Sequence, residues 1–151
     1  MAKRTDDQRR DDLETIKTLL REAGLRSTPA RIAAYRFLRN ANSPVSHAEV
    51  AAELVQTGLD KATVFRNLND LADAGLARRT ELGDHVWRFE LVGEDHGSDP
   101  HPHFVCIDCG TVSCVDQAEL RKVADRKQIA SLGRVTEILL RGHCTQCDAA
   151  G

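Results

Sequence analysis

A chain of 151 residues carrying a net charge of −2 can bury one modest core, or two small lobes if something besides apolar packing holds them. Aromatic residues make up only 4%, and no apolar run approaches the roughly 20 residues of a membrane-spanning helix, which argues against a membrane protein. The first residues, Met1-Ala2-Lys3-Arg4-Thr5-Asp6-Asp7, lack the apolar stretch of a signal peptide. A cytoplasmic location is therefore expected, and there five cysteines read as metal ligands before disulfides. Charge is uneven: residues 1–92 hold 15 Lys/Arg against 14 Asp/Glu, and residues 93–151 hold 6 against 9. An asymmetry that mild does not by itself point to nucleic acid.

In chain order, residues 6–23 set Leu13, Ile16, Leu19 and Leu20 at helical spacing, with Gly24 as the stop. Ser27-Thr28-Pro29 offers an N-cap and a proline at the first helical position, opening a helix to about Asn40 with Ile32, Ala33, Tyr35 and Leu38 inward. Ser46-His47-Ala48-Glu49 is a capping box for a third helix, with Val50, Leu54 and Val55 inward. Asp60 caps a fourth, in which Val64, Leu68 and Leu71 face the core and Gly75 follows the end. The period then changes to two, and residues 76–81 and 86–91 flank Leu82-Gly83-Asp84-His85 as a hairpin. Short helices followed by a hairpin form the pattern of a winged helix-turn-helix, assigned to residues 1–92. Residues 93–102 are rich in Gly, Pro and Asp and read as a hinge. Residues 103–151 read as a small α/β domain, with strands at 103–108, 111–115 and 135–141 and a helix at 117–129. The fold class is α+β.

The fourth helix leaves Lys61, Thr63, Arg66, Asn67 and Asp70 off its apolar stripe. Arg and Asn can bond guanine and adenine edges bidentately in a major groove, Thr63 can reach phosphate or a base, and Lys61 can bind phosphate. Arg78 and Arg79 lie on the hairpin, beside the DNA backbone or minor groove. Taken alone, such a helix reads as a solvated surface. The capped helix before it and the hairpin after it favour DNA binding.

Cys106-Ile107-Asp108-Cys109 and Cys144-Thr145-Gln146-Cys147 are two C-x-x-C pairs separated by 34 residues. Each forms a knuckle presenting two sulfurs, and together they can close a tetrahedral S4 site of the structural zinc kind. A closed site staples structure and does no chemistry. A second constellation precedes the first knuckle: His101 and His103, two apart on an extended segment, face the same way. Glu90, at the end of the second hairpin strand, could add a carboxylate. His47 and His96 are weaker candidates. Cys114, flanked by Val112 and Val115, reads first as a core thiol and only then as a ligand. His85 reads as a turn residue and His143 as a neighbour of the zinc knuckle. A hydrolytic metalloenzyme at the histidines is disfavoured, since no general acid/base pair stands beside them.

These residues resemble a family. His101-Pro102-His103-Phe104-Val105-Cys106-Ile107-Asp108-Cys109-Gly110 is similar to the H-x-H-x-x-C-x-x-C-G signature of ferric uptake regulator (Fur) repressors. Residues 24–31, 62–68 and 142–147 resemble the family's G-x-R-x-T-x-x-R, its A-T-V-Y-R-x-L recognition helix (with Phe65 in place of tyrosine) and its closing G-x-C-x-x-C. The resemblance implies a C-terminal dimerisation domain, a homodimer on inverted-repeat operators in double-stranded DNA, and a metal between the domains that switches DNA affinity. It implies structural zinc at Cys106, Cys109, Cys144 and Cys147, and regulatory ligands at Glu90, His101 and His103. The family's DNA-domain histidine would align near Pro44, leaving His47 or His96 as substitutes, and Cys114 stands where some members carry an aspartate ligand. An accessory third site is lost at Pro100, Pro102 and Thr136, with only Glu119 left to correspond. The expectation is a non-enzymatic, metal-dependent repressor with zinc in one site and a second divalent ion in the other, zinc or iron(II) ahead of manganese or nickel. The competing expectation is a peroxide- or thiol-sensing regulator.

Overall fold

The computed structural model describes residues 6–93 and 101–150, so most of the predicted hinge, with His96, lies outside the described residues. The first lobe runs α1 (Asp6–Glu22), α2 (Pro29–Asn40), β1 (Val45–Ser46), α3 (His47–Leu54), a short 3-10 turn, α4 (Lys61–Asp73), β2 (Ala77–Glu81) and β3 (Trp87–Leu91). Local chemistry sets these boundaries. Thr28 accepts the Arg31 amide, and Ser46 and Glu49 close a reciprocal capping box. Asp60 accepts the Thr63 amide at 2.8 Å and the Thr63 hydroxyl at 2.7 Å. Gly75 ends α4 at φ +78, a left-handed conformation that strains other residues, which lets the Leu76 amide reach back to the Leu71 carbonyl at 3.0 Å.

β2 and β3 form the expected antiparallel hairpin, with Arg78 opposite Glu90. The two-residue β1, not foreseen from the sequence, adds to the other edge of β3 and makes a three-stranded sheet in the order β1-β3-β2. Ile16, Leu20, Leu38, Val50, Val64, Leu68, Leu71 and Phe89 are each no more than 1% exposed and make one core joining all four helices to the sheet. Each such side chain contributes about 1.5–3 kcal/mol relative to exposure. The result is a winged helix-turn-helix with α4 as its second helix.

The second lobe contains β4 (His103–Cys106), β5 (Val112–Cys114), α5 (Gln117–Val123), α6 (Arg126–Ser131), β6 (Leu139–Gly142) and α7 (Thr145–Ala150). Its sheet order is β5-β4-β6, with β5 antiparallel and β6 parallel to β4. The helix expected over 117–129 is broken, because Ala124 is extended and Asp125 caps a new helix by accepting the Lys127 amide. The strand expected over 135–141 is confined to β6, whose pairing begins at His103↔Leu139 and ends at Cys106↔Gly142 with the four-residue β4. Apolar burial here is sparse: among the described residues of this lobe it comprises Val105, Cys106, Val115 and Leu120. Ile107, Val123, Leu132 and Val135 stay exposed. A core that small does not hold a lobe by packing alone.

The lobes touch at the hairpin. Arg141 on β6 donates to the Leu82 carbonyl at 3.0 Å, and Leu82 is fully buried. Gly83 lies beneath that guanidinium at φ +85, where an added Cβ would stand 3.1 Å from the Arg141 Nη2.

Candidate metal centres and recognition helix

Among the described residues, two groups gather three or more His, Cys, Asp or Glu donors, each with its donor atoms within 4.8 Å of one another. The first is Cys106, Cys109, Cys144 and Cys147. Parallel pairing of Cys106 with Gly142 places the second knuckle beside the first. The Cys144 amide donates to the Cys106 sulfur at 3.3 Å, and the Gly110 amide tightens the first turn by donating to the Cys106 carbonyl at 3.0 Å. Cys109 and Cys144 sulfurs are 3.8 Å apart, far beyond disulfide bonding, and all five cysteines are free thiols. A tetrahedron of sulfurs about 2.3 Å from zinc has edges of about 3.8 Å, so the residues fit that ion. Backbone amides of Cys109 and Cys144 pull the Cys106 thiol down to about 6, whereas hydrogen bonds with Cys144 and Cys109 push Cys147 above its ordinary value. Crowded sulfurs thus favour mixed protonation, a tension that a divalent cation relieves.

The second group is Glu90, His101, His103 and Cys114. β3 supplies Glu90, while β4 and β5 supply His103 and Cys114 as direct cross-strand partners. Glu90 and His103 are 5% and 3% exposed. The His101 Nε2 lies 3.2 Å from Glu90 Oε2 and 3.3 Å from the Cys114 sulfur, and the His103 Nε2 lies 3.4 Å from Glu90 Oε1. Yet both Glu90 oxygens and both His103 nitrogens are buried without a hydrogen-bond partner. His101 bonds the Cys114 sulfur, whereas the contacts of Glu90 miss hydrogen-bond geometry, and the four donors crowd one point, within 4.8 Å of one another. Leaving a buried carboxylate and imidazole unsatisfied costs several kcal/mol, and a cation at that point would satisfy them, so this set also fits a metal.

Electrostatics point the same way. Burial alone would raise the Glu90 carboxyl, but His103, His101 and the Arg78 guanidinium, 3.6 Å away, hold it below its ordinary value. Burial would lower His103, but Cys114 and Glu90 outweigh it and lift the imidazole to about 9. The cluster recruits positive charge. A cavity of about 360 Å³ lined by Arg78, Trp87, His101, His103 and Thr136 opens onto the two histidines.

One expected neighbour is placed elsewhere. The His47 Nε2 sits 2.9 Å from the Lys61 carbonyl, and its ring packs edge-on against Phe65 at 5.3 Å, so it belongs to the start of α4 and not to the metal cluster. Cys114 is half-buried beside His101 rather than sunk in a core. The His143 Nδ1 pairs with Asp108, next to the cysteine knuckles.

On α4, Lys61 and Arg66 are exposed and Thr63 is half-buried, with the Arg66 Nη2 3.3 Å from the Thr63 hydroxyl. Asn67 departs from expectation. It is only 7% exposed and donates to the Thr63 carbonyl at 2.8 Å, which turns it into the helix instead of toward a groove. Phe65 takes the outward place at 49% exposure. The signal for it was an apolar residue off the Val64/Leu68/Leu71 stripe. Arg79 is exposed but bonds Asn69 at 2.8 Å and Asp73 at 3.2 Å, so the hairpin leans on α4 through it. Arg31 on α2 forms an ion pair with Asp70 on α4, fixing the two helices, a long-range contact no local pattern reveals.

The profile of the family described as Ferric uptake regulator family matches residues 22–138. The chain is 34% identical to the ferric uptake regulation protein of Klebsiella pneumoniae over 140 residues, 87% of this chain and 85% of that protein. It is 28% identical over 144 residues to the peroxide-responsive repressor PerR of Staphylococcus epidermidis, 93% of each. The solved structure of the Vibrio cholerae ferric uptake regulator superposes with a TM-score of 0.67 at 30% identity, over 85% of this chain and 98% of that one.

Proposed function

The chain belongs to the ferric uptake regulator family, and from that premise we propose that it is a metal-responsive, DNA-binding transcriptional repressor rather than an enzyme. In this reading it acts in the cytoplasm as a homodimer on an inverted-repeat operator in double-stranded DNA. No helix among the described residues is long and apolar enough to cross a membrane. Residues 1–92 form the DNA-binding domain, 93–102 the hinge and 103–151 the dimerisation domain. Cys106, Cys109, Cys144 and Cys147 hold zinc, which supplements the sparse core of the second domain. Glu90, His101 and His103 hold a second divalent ion, zinc or iron(II).

One observation carries the reading: a buried cluster, short of hydrogen bonds, draws its carboxylate from the hairpin of the DNA-binding lobe and its imidazoles from the edge of the other lobe. A divalent ion there supplies the positive charge that satisfies the buried donors. Glu90 then ties β3 to His103 on β4, fixing the hairpin and α4 relative to the second lobe. That differential contact makes ion binding and DNA binding thermodynamically coupled. Lys61, Thr63 and Arg66 face DNA, with Arg78 and Arg79 on the flanking hairpin, while Asn67 braces the helix from within.

The test is binding to an operator selected from random duplexes, with and without added zinc, iron(II) or manganese. His101→Ala and His103→Ala are expected to abolish metal stimulation while circular dichroism and zinc at the cysteines persist. Wild-type stimulation in both variants would overturn the assignment. A second reading, release of DNA on oxidation of Cys114 or the S4 thiols, has the free thiol beside His101 in its favour. It requires that peroxide abolish binding even when the second metal is saturating.

A further inference from the structure

We propose that the Cys114 thiolate is the fourth ligand of the second site and makes it select zinc(II) over iron(II) and manganese(II). The inference rests on the metal-sensor reading above and names the ion that the sensor takes. Three features of the cluster carry it.

The first is donor chemistry. Glu90, His101, His103 and Cys114 present one carboxylate oxygen, two imidazole nitrogens and one sulfur within 4.8 Å of one another. A sulfur donor favours zinc, whereas manganese and iron(II) suit all-oxygen and nitrogen–oxygen sets. One carboxylate and one thiolate offset the charge of a divalent ion within the ligand set, with the Arg78 guanidinium 3.6 Å from Glu90 outside it. The thiol proton is released to solvent as the sulfur–metal bond forms.

The second is spacing. The nitrogen–oxygen separations are 3.2 and 3.4 Å and the nitrogen–sulfur separation is 3.3 Å. A tetrahedron with nitrogen and oxygen about 2.0–2.1 Å from zinc has edges of about 3.3 Å. The two nitrogen–oxygen separations fall near that edge, and the nitrogen–sulfur separation is shorter than the edge of about 3.5 Å that a sulfur 2.3 Å from zinc would give.

The third is that, among the described residues, no further ligand joins these four. His47, the described histidine of the helical lobe that was expected to reach the site, is held at Lys61 and Phe65 instead. Four described donors fill a tetrahedron, while a six-coordinate ion would need two more within a cluster whose Glu90 and His103 are buried. Glu90 is then the donor through which the hairpin lobe feels the ion.

The experiment loads full-length protein so that one chelator-resistant zinc per chain occupies the cysteine knuckles. Cobalt(II), a spectroscopic probe for zinc, is then titrated into the second site. The expected result is a thiolate-to-cobalt charge-transfer band and tetrahedral visible bands for one cobalt per chain, with zinc content unchanged. Cys114→Ser should still take up cobalt but lose the charge-transfer band. Cys114→Asp should narrow the zinc-over-manganese preference in a competition titration by on the order of 100-fold, since losing even an outer partner of a ligand costs about 10–100-fold in metal affinity. One cobalt per chain that binds the second site without a thiolate band overturns this inference and leaves the sensor reading standing. Failure to take up a second cobalt, zinc, iron or manganese overturns both. The wild-type spectrum decides even if the variants do not fold.

Discussion

Glu90 shows how one residue's environment sets its use. Its backbone position opposite Arg78 follows from hairpin register, and it ends 5% exposed between a guanidinium and two imidazoles. Arg78, 3.6 Å from Oε1, is a resident cation that any metal ion must compete with or accommodate. Arg78→Gln should therefore tighten metal binding at the second site. The pair is partly exposed and such pairs contribute about 0–1 kcal/mol, so the gain should be about fivefold at most, read by chelator competition. An unchanged or weakened affinity would show that Arg78 instead helps to shape the site. Glu90, His101 and His103 were all legible as candidates from spacing. The proximity of Cys114 to His101 and the remoteness of His47 were not, because both depend on which strand lies beside which.

At the scale of elements, capping residues carried most of what could be read in advance. Thr28, Ser46 and Asp60 each bond an amide within the first turn, an interaction encoded within four residues and nearly independent of context. Asp60 starts the recognition helix, and bonds from the Thr63 hydroxyl and amide hold its carboxyl below its ordinary value of 3.8. A depressed carboxyl stabilises the fold above its unfolded value and loses that contribution as the pH falls through the folded one. The start of α4 should accordingly loosen on acidification below about pH 4. Asp60→Asn, a cap without a charge to titrate, should remove that acid step and retain operator binding. Asp60→Ala should weaken operator binding at neutral pH. Equal binding by the two variants would separate the cap from DNA recognition. Where elements depart from expectation, the cause is local as well. A helical pattern over 117–129 has Asp125 inside it, and that side chain caps a second helix rather than riding on the first. The outward polar face assigned to Asn67 ignored the option of an amide bonding back to the Thr63 carbonyl.

Across the whole molecule, stability is distributed unequally. The first lobe has a continuous core of helices and sheet, whereas the second has few buried apolar side chains and a cluster of four thiols. Cys144→Ser, or exhaustive chelation under denaturing-threshold conditions, should melt the second lobe and dissociate the proposed dimer while the helical lobe keeps its circular dichroism. Sedimentation and thermal melts check this, and an intact dimer in Cys144→Ser would refute the stapling role. The lobes communicate at two places in the described chain: the Glu90 cluster and the Arg141 bond to the Leu82 carbonyl.

The sequence by itself determined whatever is written within about ten residues: four helices, three of them with N-caps, a hairpin, two sulfur knuckles, a histidine pair and a sparse second core. Those depend on backbone periodicity and on hydrogen bonds to near neighbours, which the chain carries wherever it goes. Only the tertiary structure decided which donors meet. Parallel pairing of β4 with β6 closes the four cysteines, and antiparallel pairing with β5 sets Cys114 opposite His103. The approach of the hairpin sets Glu90 against both histidines while α4 draws His47 away. These contacts join residues separated by many positions in the chain, and register and packing, not local spacing, select them.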